Sequence, residues 1–188
     1  MVMKALIEKI NQIDREAARD SAFFLVKTAG VYGFWKLFVY AADHLSFLTP
    51  HWNAFRHSLG VLLAKICAFF VVDLFGYAGR PEGRALLMDG VPGIYIGNTC
   101  IGLSAMVIFT GLIAVYPGKW KHKLWFIPLG LILVQGSNLF RLVGLAIMQK
   151  HSSEAFVQFN HGYTYVLITY SFIFMLVVFW MNRLAEKA

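Results

Sequence analysis

Five long apolar runs, at residues 22–42, 59–75, 100–116, 124–148 and 161–181, dictate what this chain can fold into. About 20 consecutive apolar residues cross a hydrocarbon core of about 30 Å. Backbone inside that core must satisfy its own hydrogen bonds, so each spanning run is expected to be a helix. The rest of the composition agrees: 59% of the residues are hydrophobic and only 14% charged, where a soluble domain is about a quarter charged. The expected fold class is an all-α integral membrane protein. At 188 residues it is expected to form one membrane-embedded domain with about four spanning helices.

The connections fix the direction of each crossing. The short tail from 182 to 188 is basic and is expected in the cytoplasm. The run 161–181 then crosses inward, 124–148 outward and 100–116 inward. The segment between the last two, Gly-Lys-Trp-Lys-His-Lys at 118–123, is strongly basic, as a cytoplasmic loop should be. Residues 78–99 therefore fall outside. If 1–21 is inside and 22–42 crosses outward, parity requires 59–75 to lie flat in the outer interface or to re-enter; if 1–21 is outside, 59–75 spans the membrane. Lys65 and Asp73 within that run suit a half-buried helix. Residues 1–21 carry Met3, Leu6, Ile7, Ile10 and Ile13 at helical spacing among mixed charges, the pattern of an amphipathic surface helix. Residues 80–98, rich in Gly and Pro, are expected to form a small extracytoplasmic extended segment or hairpin.

The formal charge of +7 does not imply nucleic acid, because the basic residues fall mostly between apolar runs and form no block. Cys67 and Cys100 allow one pair at most and have no metal-site spacing. No cofactor and no metal are expected, and the mixed-charge first twenty residues do not read as a cleavable signal.

Three reactive side chains fall at one level. Cys100 is expected to open its helix at the outer face. Arg141 follows Leu124 by 17 residues, or about 26 Å of helix, which brings it to the outer leaflet. His161 is expected to open the last helix at the same level. Asn138 and Arg141 are three residues apart and share a helix face. Taken singly, a lone Cys is usually a small buried hydrophobe, as Cys67 is expected to be, and an Arg near a helix end usually extends to the interface. Together they make a coherent chemistry. The thiolate is the nucleophile, favoured by a helix N-terminus and a nearby cation. Arg141 keeps its proton and is suited to stabilising a thiolate or an oxyanion. His161 can take the thiol proton and return it to a leaving amine. Asn138 can donate to the oxyanion or orient Arg141.

Thr99-Cys100-Ile-Gly102-Leu-Ser104 at the head of one run, then Asn138-Leu-Phe-Arg141, then His161-Gly162 at the head of the last, resembles the exosortase/archaeosortase family. The resemblance covers roughly residues 90–181. Asn98 and Ile101 stand where members of that family often have Glu and Ser. It implies a membrane cysteine protease or transpeptidase with Cys100, Arg141 and His161 as its catalytic residues and Asn98, Thr99, Gly102 and Asn138 in support. It implies that the partners are exported proteins with a C-terminal signal (a short motif, a membrane helix and a basic tail), together with membrane lipids. It also implies a multi-pass protein of the cytoplasmic membrane whose site faces the extracytoplasmic side. Two rival functions compete: a non-catalytic scaffold or anion-binding or transport subunit using Arg141, and a rhomboid-like serine protease using Ser104 and His161.

The loop charges predict an orientation. A membrane-impermeant thiol reagent applied to intact cells should label cysteines placed at residues 85–95, in a Cys67→Ala background, and should leave Lys121→Cys unlabelled. The reverse pattern would invert the topology.

Overall fold

The computed structural model describes residues 2–185, and the side chains of Arg19 and residues 22–185. Its elements follow the order α1 (Val2–His44), α2 (Thr49–Ala68) with a π-helical extension (Phe69–Leu74), β1 (Gly79–Glu82), β2 (Ala85–Met88), β3 (Val91–Tyr95), α3 (Leu103–Val115), α4 (Trp120–His151), α5 (Glu154–Phe159), a π-helical link (Asn160–Thr164) and α6 (Tyr165–Arg183). The chain is mostly helical, as its apolar runs require.

Four helical stretches are long and apolar enough to cross a membrane: 22–44, Thr49–Leu74, Trp120–His151 and Glu154–Arg183. Two expectations shift here. The run 100–116 contracts to the 13 residues of α3, about 20 Å of helix, which is less than a hydrocarbon core. Gly102, in a left-handed conformation at φ 75°, holds off the helix start, and Tyr116 turns extended at its end. Conversely, the run 59–75 belongs to a helix of 26 residues with mean hydropathy 1.8. The N-terminal segment also differs from expectation. Residues 1–21 do not make a separate helix, because α1 continues from Val2 to His44. The amphipathic face of residues 1–18 lies outside the described side chains.

The core has two parts. Phe109 and Ile113 of α3, Phe126 and Val134 of α4, and Ile173, Val177 and Trp180 of α6 form one buried cluster. Phe109 fits there because Gly130 faces it: a Cβ on Gly130 would stand inside van der Waals contact with the Phe109 ring. The loop joining α3 to α4 closes this end of the bundle. Lys123 is buried and donates through Nζ to the carbonyl of Ala114 at 2.8 Å, placing a cation on the free carbonyls at the end of α3. Trp180 Nε1 donates to the carbonyl of Pro117 at 3.3 Å.

The second cluster joins Leu63, Ala64, Cys67 and Val71 of α2, Leu86 and Met88 of β2, and Leu142, Val143 and Ala146 of α4, with Ile96, Cys100 and Ile101 among them. Cys67 is a buried core residue, as expected. The start of α2 packs on the end of α1: Arg56 pairs with Asp43 at 2.6 Å, and the Trp52 ring meets Trp35 and Phe38. Its π-helical end lines a cavity with residues 136–147 of α4. Trp35 also donates to Ser104 Oγ at 3.0 Å. Both ends of α2 therefore meet the end of the bundle that carries Cys100.

The expected extended segment is a three-stranded antiparallel sheet in the order β1-β2-β3. Gly79 pairs with Met88 and Glu82 with Ala85; Ala85 pairs with Tyr95 and Leu86 with Ile94, followed by a bulge. Gly83 and Gly90 supply the positive φ of the two tight turns.

The Phe109–Gly130 contact makes a prediction. Gly130→Leu forces a side chain into a filled space, at a cost of about 1–3 kcal/mol. Its thermal midpoint in detergent should fall clearly below that of the wild type, whereas an unchanged midpoint would mean that α3 and α4 do not pack this way.

Candidate active site

The site forms where two helical elements are interrupted beside the unbroken α4. Cys100 was expected to open a helix and does not. It sits in a turn three residues before α3, with its N–H bonded to the carbonyl of Gly97 at 2.9 Å. Gly102 makes that turn possible. Its φ of 75° is a left-handed value that suits glycine, and a Cβ there would stand 2.6 Å from Gln135 Oε1 and 2.9 Å from Asn138 Nδ2. His161 likewise does not open the last helix. It lies in the π-helical link of a helical run from Glu154 to Arg183. Wide turns of this kind occur mostly inside α-helices and often at functional sites.

These interruptions bring the expected residues together. Cys100 Sγ lies 3.2 Å from His161 Nε2. Arg141 Nη2 lies 3.9 Å from the same sulfur and donates to the backbone carbonyl of His161 at 3.4 Å. Cys100 and Arg141 are buried, and His161 is exposed. Among the described residues, no carboxylate forms an ion pair with Arg141, and its Nε has no hydrogen-bond partner. A buried guanidinium without a counter-ion favours any negative charge that forms beside it.

The supporting residues divide into two groups. Asn138 holds the Cys100 backbone: its Nδ2 donates to the carbonyl of Cys100 at 3.0 Å. Thr99 Oγ1 lies 3.8 Å from the sulfur. Asn98 instead accepts a hydrogen bond from Arg84 Nη1 at 2.9 Å, and so ties the Cys100 turn to the β1–β2 turn. Arg84 and Gln135, which donates to the carbonyl of Ile101 at 3.4 Å, were not legible as site residues in the sequence. Both contacts join positions far apart in the chain, and neither residue stands in a recognisable motif. Ser104 accepts its hydrogen bond from Trp35 on α1.

Two cavities flank the group. One of about 410 Å³ is bounded by Gly93, Ile94 and Tyr95 of β3, by Leu142, Leu145 and Gln149 of α4, and by Val157, Gln158 and His161, with Cys100 at its wall. A smaller one of about 140 Å³ lies on another side of Arg141, among Thr99, Ser104, Asn138 and Thr169. A further cavity, of about 760 Å³, is an apolar groove between α1, α3 and α4 that contains none of the three reactive residues.

Compared with known proteins, the sequence matches the family model of transmembrane exosortases over residues 21–181. No curated protein and no solved structure matches it.

The Gly102 geometry makes a further prediction. Gly102→Ala demands a disfavoured backbone conformation and drives a methyl group into Asn138 and Gln135. It should displace the Cys100 turn and change the alkylation rate of Cys100 by iodoacetamide by about tenfold or more, given strain of order 1–3 kcal/mol. Wild-type alkylation would show that the turn does not depend on that conformation.

Proposed function

The chain belongs to the transmembrane exosortase family, multi-pass membrane transpeptidases and proteases of protein sorting, and from that premise we propose that Cys100, Arg141 and His161 carry out its reaction. The observation that carries the reading is the convergence on one sulfur atom: an imidazole nitrogen at 3.2 Å and a guanidinium nitrogen at 3.9 Å.

In this mechanism His161 Nε2 takes the proton of the Cys100 thiol, and the sulfur attacks the carbonyl carbon of the scissile peptide bond. The carbonyl oxygen becomes an oxyanion, which Arg141 stabilises with a charged N–H that has no competing carboxylate. Collapse of the intermediate expels the amine, which takes its proton from His161. A thioester between Cys100 and the upstream part of the substrate remains, and the C-terminal helix departs. Water, or an amine on a lipid or glycan, then attacks the thioester. Asn138, through the Cys100 carbonyl, and Asn98, through Arg84, are positioning residues for the nucleophile turn.

The substrates in this reading are exported proteins whose C-terminus carries a short motif, a membrane helix and a basic tail. The site faces the extracytoplasmic side of the cytoplasmic membrane, in agreement with the basic segment at 118–123 on the far side of the bundle. Helix α2 lies across the outer end of the bundle in the interface. The support for this is that its first turns contact the end of α1 and its last turns contact residues 136–147 of α4.

Residues that act as a unit lose activity non-additively. Cys100→Ala, Arg141→Ala and His161→Ala should each reduce processing of a co-expressed native substrate by about a thousandfold or more, with the double variants little worse. Arg141→Lys should fall short of wild type, because lysine lacks the planar donor fork. Ser104→Ala and Cys67→Ala should retain processing. Immunoblots of membrane fractions check abundance, and normal processing by a well-expressed Cys100→Ala protein would end the cysteine mechanism.

A further inference from the structure

The two edges of the small sheet are not alike. β1, at one edge, reads Gly-Arg-Pro-Glu, and its last three residues are exposed. Proline and charge are the devices by which sheets block pairing with another chain. β3, at the other edge, carries Pro92 near its start, so only its end is open: Ile94, Tyr95 and the following Ile96 carry no charge and no proline. The N–H of Ile96 donates to the carbonyl of Arg84 at 2.9 Å. By the alternation of an antiparallel ladder, Ile94 and Ile96 therefore direct their backbone groups to β2, and the N–H of Tyr95 points to the free edge, where its carbonyl accepts from the N–H of Gly97 at 3.2 Å.

That edge faces the reactive residues. Gly93, Ile94 and Tyr95 all border the 410 Å³ cavity that Cys100 and His161 share. Successive strand residues point to opposite faces, so a cavity touching three in a row runs along the edge of the strand. Its other wall is α5 with the π-helical link, and α4 forms its floor. Gln149 and Gln158 offer amide donors and acceptors opposite β3.

We propose that the free edge of β3 is the docking strand for the substrate: an extended polypeptide segment adds beside Tyr95 as a fourth strand and carries its scissile carbonyl to Cys100. The proposal rests on the cysteine mechanism above and deepens it. Strand addition takes most of its affinity from main-chain hydrogen bonds, with selectivity supplied by pockets for alternate side chains. The enzyme then recognises the extended form of the segment before the membrane helix, and the cavity reads only some of its side chains. It also follows that a substrate segment must be unfolded and free of proline at the paired positions.

The test uses an exported protein that the wild-type enzyme demonstrably processes in the same cells. Cysteines are placed singly at each of about six successive residues preceding its membrane helix, the length of a typical strand. They are paired with Tyr95→Cys in a Cys67→Ala, Cys100→Ala enzyme that holds uncleaved substrate. Oxidative cross-linking should alternate, strong at every second substrate position and weak between. Cross-links at a spacing of three or four, at consecutive positions, or at none would overturn strand addition. Tyr95→Pro, which removes the outward N–H and no bond to β2, should lower processing at least about tenfold, with alkylation of Cys100 reporting that the site is intact. Wild-type processing by this variant would also overturn the proposal. If Cys100→Ala still processes the substrate, the cysteine mechanism falls and the docking with it. If Cys100 is required but the cross-links do not alternate, the docking alone falls.

Discussion

A guanidinium buried near the end of a membrane helix, paired with no carboxylate among the described residues, sets the terms for everything around it. Among the described residues, Arg141 Nη2 reaches a sulfur and a peptide carbonyl. Neither neutralises its charge, so the site is poised for an anion that exists only when a thiolate or an oxyanion forms. The long spacing from the basic end of α4 gives Arg141 its depth. The Cys100 turn, the π-helical link and the start of α6 around it keep the charge out of lipid, where an isolated cation is costly.

The same demand explains why regular helices give way at this end. A nucleophile on an ordinary helical turn would have its backbone fully engaged and its position fixed by the helix axis. Here Gly102 in a left-handed conformation stops α3 early, Asn138 takes up the released carbonyl of Cys100, and Gln135 takes that of Ile101. Irregular backbone survives near a membrane only where protein satisfies its polar groups, and α4 supplies two such amides from one face. The π-helical link presents His161 to the same sulfur from the opposite side. The sheet and α2 then cover this end, packing Leu86, Met88 and Ile96 against Leu63, Cys67 and Val71.

Much of the candidate site was legible because few residue types can do its chemistry and few places in a membrane protein tolerate them. Cys100, Arg141 and His161 stood out as reactive or charged groups bordering apolar runs, and length arithmetic put them at one level. Asn138 followed from its i, i+3 relation to Arg141. The local backbone was less legible. The helix starts expected at Cys100 and His161 fall elsewhere, because apolar runs mark where a helix can be and do not mark where a left-handed glycine or a wide turn interrupts it. The Gly- and Pro-rich segment at 80–98 read as an extended segment or hairpin, yet a third strand needed partners that only tertiary contact supplies.

By itself, the sequence determined that the chain is a membrane helix bundle, where its basic end lies, and which three side chains are candidates for chemistry. Those properties follow from hydropathy, charge and residue type, which are local and additive along the chain. The tertiary structure alone decided that Cys100 lies in a turn, that Asn98 answers to Arg84 while Asn138 holds the Cys100 carbonyl, that Ser104 bonds to Trp35, and that β3 keeps an open edge beside the sulfur. Apart from the Cys100 turn, which Gly97 and Gly102 shape locally, these depend on contacts between residues well separated in the chain, and such contacts are fixed only when the elements pack against one another.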